Sequence, residues 1–125
     1  MRHGSTWLAL LLAACCLVLA PLGAAAAEVL QVRSATLLQV GDHNRTYSVE
    51  LACLAVATDQ QPAAAAWLRQ QLPRRTRVNL RPLGNRDGVL LARVQRLQSG
   101  DALPLDLGAG LVDAGLASAL PHCAG

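Results

Sequence analysis

From Arg45 to Cys53 the chain alternates without a break: Tyr47, Val49, Leu51 and Cys53 fall on one side, Thr46, Ser48, Glu50 and Ala52 on the other. A period of two is the repeat of an extended strand, whose successive side chains point to opposite faces. One face must meet a core and the other water, because a slip of one residue would turn every apolar side chain into solvent. Such a strand is not stable alone and commits its neighbours to a sheet. Just before it, Gly41-Asp42-His43-Asn44 is a turn by composition. Ahead of that turn, residues 29–33 and 36–40 are rich in Val, Leu and Thr, with a kink at Ser34-Ala35, and read as two strands or one bent strand.

Beyond Cys53 the pattern changes. Residues 54–61 lose periodicity and read as a loop. Pro62 suits a first helical turn, and Ala63 to Leu72 are good helix formers with Ala64, Trp67, Leu68 and Leu72 on one face. Pro73 stops that helix. Arg77 to Arg81 reads as a strand with Val78 and Leu80 inward; Gly84 to Gly88 is expected to be a hairpin loop, with Asp87-Gly88 as its turn pair. Val89 to Gln95 returns as a strand. Leu105 to Ala114 is a weaker helix, softened by Gly108 and Gly110. The resulting order is three strands, a helix, a two-strand hairpin and a helix. It points to a mainly β protein with two or three helices, built as a small five-stranded barrel of the OB type.

The start of the chain reads differently. Arg2 and His3 give a positive beginning, Trp7 to Leu19 is an apolar run, and Ala24 to Ala27 are small residues suited to a signal peptidase. Residues 1–27 therefore read as a secretory signal peptide, with residues 28–125 as the exported domain and no stable membrane span in it. Leu12-Ala13-Ala14-Cys15 also has the form of a lipobox, which would anchor the protein at an acylated Cys15; the apolar continuation Cys16 to Ala20 speaks against it. On either reading the domain is periplasmic or extracellular.

Removing residues 1–27 from a chain of 125 leaves 98, enough for one modest core. Ten arginines face eight acidic residues there, a formal net charge of +2, with no lysine. That is far from the dense positive field of a dedicated nucleic-acid binder. Cys53 and Cys123 remain after removal of Cys15 and Cys16. In an oxidising compartment two cysteines suggest one disulfide, the other reading being two buried thiols.

The segments "YSVELAC" (47–53), "AAAAWLRQQL" (63–72), "TRVNL" (76–80), "NRDGVLLARV" (85–94) and "GLVDAGLA" (110–117) follow one another in the order and spacing of the thermonuclease family. The chain resembles that family over nearly all of residues 29–120, and the cysteine pair is similar to that of exported members. The resemblance implies an OB barrel and calcium-assisted phosphodiester hydrolysis. In that chemistry two carboxylates hold the metal, a Glu handles the attacking water, and two Arg neutralise the phosphate. At the matching positions this chain carries Ala35 and Ala55 for the metal carboxylates. Thr58 stands for the Glu, and Glu50 and Val89 stand for the two Arg. The resemblance thus implies a degenerate member with no catalytic residue, no metal ligand and no cofactor.

Three functions follow as expectations. The first is a non-catalytic binding or structural protein whose partner is nucleic acid or another exported protein. The second is a weak or unorthodox calcium-dependent nuclease, with Asp59 or Arg86 taking over lost roles. The third is a single-stranded nucleic-acid binder using Arg74, Arg75, Arg77 and Arg81 as phosphate contacts. Against the last, such surfaces need aromatic platforms, and Tyr47 and Trp67 are the only aromatics after the leader. Asp42 and His43 read as turn formers and not as metal ligands.

Overall fold

The computed structural model describes residues 25–123; the apolar run and Cys15 lie outside the described residues. Five long strands form the architecture: β1 (Ala25–Val32), β2 (Leu37–Asp42), β3 (Arg45–Leu51), β5 (Arg77–Arg86) and β6 (Val89–Arg96). They are joined in the order β3-β2-β1-β5-β6, and β3 closes on β6 in parallel through Val49↔Leu90, Glu50↔Leu91 and Leu51↔Ala92. Closure removes the exposed edges that would otherwise pair with other chains. The result is the small five-stranded, OB-like barrel to which the order of elements pointed. Two short strand pieces, β4 (Leu54–Ala55) and β8 (Ser118–Ala119), pair with each other, while β7 (Leu105–Asp106) adds to β6.

The first two strands are separate and antiparallel, Val32 opposite Leu38. A register shift between Val29 and Gln31 lets Val29 and Val32 both face inward although they are an odd number apart. β1 also starts three residues before the expected domain start at Glu28. Ala25, Ala26 and Ala27 pair with Leu80, Asn79 and Val78, and Ala27 is buried.

The two hairpins are tighter than composition indicated. β5 and β6 stay paired up to Arg86↔Val89, so the expected loop over 84–88 shrinks to Asp87-Gly88. Both take positive φ, 52° and 82°, the conformation of a type I′ turn that matches strand twist. The Asn85 side-chain oxygen accepts from the Gly88 N–H at 3.2 Å. Likewise β2 and β3 pair to Asp42↔Arg45, leaving only His43-Asn44 between them.

Two helices cover the barrel. α1 (Gln61–Gln71) follows a short 3₁₀ turn at Thr58–Gln60 and buries Ala64, Ala65 and Leu68, with Leu72 buried just past its end. α2 (Leu107–Asp113) begins two residues later than expected, because Leu105 and Asp106 are held as strand against Arg96 and Gln95. Its start is fixed by Asp106, whose carboxylate accepts from the Ala109 N–H at 2.9 Å. The core is wholly apolar: Val29, Leu38, Val40, Val49, Val78, Leu80, Leu68, Leu107 and Leu111 are fully enclosed. Among the described residues no helix is long and apolar enough to cross a membrane.

Cys53 corrects one expectation. β3 ends at Leu51, and Cys53 leaves the strand with φ 68°, so its side chain is not part of the inward face. It lies at disulfide geometry with Cys123, Cα to Cα 5.3 Å across 70 residues. The β4–β8 pairing and a bond from the Leu120 N–H to the Cys53 carbonyl, 3.0 Å, bring the tail there.

Candidate functional site

Three of the five positions that matter under the thermonuclease resemblance fall at one rim of the barrel, where β2 begins, β3 ends and β6 begins. Leu37 pairs with Glu50, the Leu51 N–H donates to the Thr36 carbonyl at 2.8 Å, and Glu50 lies level with Leu91. Ala35, Glu50 and Val89 are therefore placed on adjoining strand ends. Ala35 is only 1% exposed, its methyl sealed in the core. Glu50 and Val89 are half-buried. Where the resemblance puts two arginines, the rim presents one carboxylate and one isopropyl group, with Arg86 directly opposite Val89 on the neighbouring strand.

The other two positions lie farther along the chain. Ala55 is in β4, opposite Ser118, and Thr58 opens the exposed 3₁₀ turn. Asp59 follows in that turn, exposed, making no cap bond to α1. Arg86 is exposed at the tip of the β5–β6 hairpin. No hydrogen bond or ion pair among the described residues links Asp59 or Arg86 to Glu50. Among those residues there is also no cluster of three His, Cys, Asp or Glu side chains able to hold a metal. His43 Nε2 stands 3.8 Å from Asp42 on a side chain that is 94% exposed, a turn contact and nothing more.

Of the arginine group picked from sequence, Arg75 and Arg77 both lie beside Glu28, while Arg81 lines a different hollow. Arg74 and Arg75 occupy the turn before β5, where Arg75 takes φ 73° and its guanidinium lies 3.8 Å from the Glu28 carboxylate. Arg77 opens β5 opposite Glu28. Arg81 lies farther along the same outer face, directly opposite Arg93 of β6. Sequence reasoning passed over Arg93: counting back from the two-residue turn at 87–88 sets Arg81 opposite Val94, and only the shift between Pro82 and Gly84 brings it opposite Arg93.

A hollow of about 340 Å³ lies between the barrel wall, α2 and the tail, and its lining includes Cys53, Leu54, Arg93, Val112 and Leu120. It does not coincide with the rim that carries Ala35, Glu50 and Val89. One further aromatic contact bears on the surface: the Arg45 guanidinium sits 4.9 Å over the Tyr47 ring. Burial first, and the nearby Asp42 carboxylate second, raise the Tyr47 pKa above its ordinary 10.0. The two aromatics that nucleic acid would need for stacking are thus occupied, Tyr47 by Arg45 and Trp67 by the core. In comparisons with known proteins, no protein-family model and no curated protein matches the chain.

Proposed function

We propose that this protein is an exported, catalytically degenerate thermonuclease-like domain that acts as a non-catalytic binding or structural protein. The observation that carries the reading is the rim itself: an OB-like barrel whose strand ends hold Ala35, Glu50 and Val89 where hydrolysis would need a carboxylate and two cations. Each loss of an electrostatic or acid–base group costs on the order of 10²–10⁴ in rate. With metal ligands, base and both clamps replaced, none of those five positions carries a group that would stabilise the transition state of phosphodiester hydrolysis. The Cys53–Cys123 pair supports the export half of the reading, since such bridges persist in oxidising compartments.

The deciding experiment is fluorescence anisotropy of labelled single-stranded DNA with the purified, oxidised protein, first with calcium and then with EDTA. The expected result is no calcium-dependent fall below the value of free DNA. A fall that EDTA abolishes would mean cleavage and would overturn the proposal. A rise that collapses with salt identifies a nucleic-acid partner, whereas a flat signal directs the search to protein partners.

A further inference from the structure

The outer face of the β5–β6 hairpin brings together charges that the barrel has no structural reason to oppose. Arg81 and Arg93 are directly opposite each other, and Asn79 and Gln95 form the next pair on the same face. Like charges facing across an antiparallel pair repel, with Cβ atoms only about 4.5–5.5 Å apart. Four other arginines have partners: Arg33 donates to Gln39, Arg45 covers Tyr47, Arg75 meets Glu28, and Arg96 donates to Gln71 and to the Leu103 carbonyl. Arg69, Arg74, Arg77 and Arg86 stand exposed without one among the described residues; what sets Arg81 and Arg93 apart is that they face each other. Among the described residues neither Arg81 nor Arg93 has an ion pair. The one contact of Arg93 is its Nη2, 3.8 Å from Cys53 Sγ, which holds the guanidinium without neutralising it.

Between these four side chains and Asp106 lies a depression of about 190 Å³. The Asp106 carboxylate faces the same hollow, but it is engaged by the Ala109 N–H as the cap of α2. We infer that this depression is an oxyanion site in which Arg81 and Arg93 grip a phosphate group from two sides while the Asn79 and Gln95 amides donate to its remaining oxygens. Guanidinium groups bind such oxygens bidentately, and a pair of them matches a dianion. The hollow is smaller than the roughly 300–1,000 Å³ that drug-sized ligands occupy, and no aromatic ring borders it. It suits a phosphate ion or the terminal phosphate of a small ester and not a stacked strand of nucleic acid. None of Ala35, Glu50, Ala55, Thr58 and Val89 takes part, so the site does not depend on whether those positions support hydrolysis.

The test is a titration of the oxidised protein with inorganic phosphate at fixed ionic strength, following the arginine Nε–H signals by NMR. Saturable shifts at Arg81 and Arg93 are expected, half-complete near or below about 1 mM. Arg81→Gln and Arg93→Gln should each weaken binding about tenfold to a hundredfold, with melting temperature unchanged or raised because a repulsion is removed. Arg69→Gln, on the exposed side of α1, should leave binding unaltered. A second arm with glycerol phosphate separates the sources: tighter binding of the ester assigns an esterified ligand, equal binding assigns phosphate itself. Shifts that fail to saturate, or that survive in both Gln variants, would sink the inference. So would an oligonucleotide that binds with steep salt dependence where phosphate alone does not saturate.

Discussion

Trp67 of α1 rests on Gly110 of α2, and that contact accounts for a glycine inside a short helix. A Cβ built at position 110 would lie 2.6 Å from the Trp67 ring, closer than side chains tolerate. Glycine lowers helix propensity by about 1 kcal/mol, yet here it lets an indole close the gap between the two helices. Gly110→Ala is therefore expected to destabilise the fold by about 1–3 kcal/mol through overpacking, despite its better helix propensity; chemical denaturation measures it. Tyr47 offers a second residue-scale prediction. Its pKa is raised by burial and then by Asp42. The folded protein therefore holds the phenol proton more tightly than the unfolded chain does. The associated stability is fully present below pH 10 and is lost as pH rises through the folded pKa. Since Tyr47 is the only tyrosine, ultraviolet titration of phenolate should show a single midpoint above that of the denatured protein.

At the scale of elements, β1 makes a demand on processing. Ala25–Ala27 lie alongside Leu80, Asn79 and Val78, and Ala27 is buried. A chain beginning at Glu28 gives up those backbone pairings and one enclosed methyl. Comparing proteins that begin at Ala25 and at Glu28, the shorter is expected to be less stable by about 1–3 kcal/mol, read from urea midpoints. Equal midpoints would mean that the first three residues of β1 contribute nothing. The hairpins make the complementary point. Asp87-Gly88 was visible as a turn from residue type, but the extent of β5 was not, because Pro82 and Gly84 look like loop residues until the bulge between them is seen.

For the whole molecule, the Cys53–Cys123 bridge joins the end of the chain to the exit of β3 and closes a loop of 70 residues. In the loop-entropy picture that constraint is worth ~4 kcal/mol, a large part of the 5–15 kcal/mol total of a typical domain. Reduction, or Cys123→Ser, should lower stability by about that amount; a loss under ~1 kcal/mol would show that β4–β8 pairing holds the tail unaided. Local pattern carried the fold a long way. The alternation at 45–53, the apolar face of 63–72, the turn composition of 41–44 and the turn pair at 87–88 set the element types, because each depends only on residues near in sequence. Those elements in that order already called for a closed barrel. The pairing of β3 with β6, the departure of Cys53 from its strand, the sealing of Ala35 and the facing of Arg81 with Arg93 depend on contacts between residues far apart along the chain. They were decided when the sheet closed. That is also why Arg81 shares a hollow with Arg93 and not with Arg75 and Arg77, its neighbours in sequence: strand register brought the pair together.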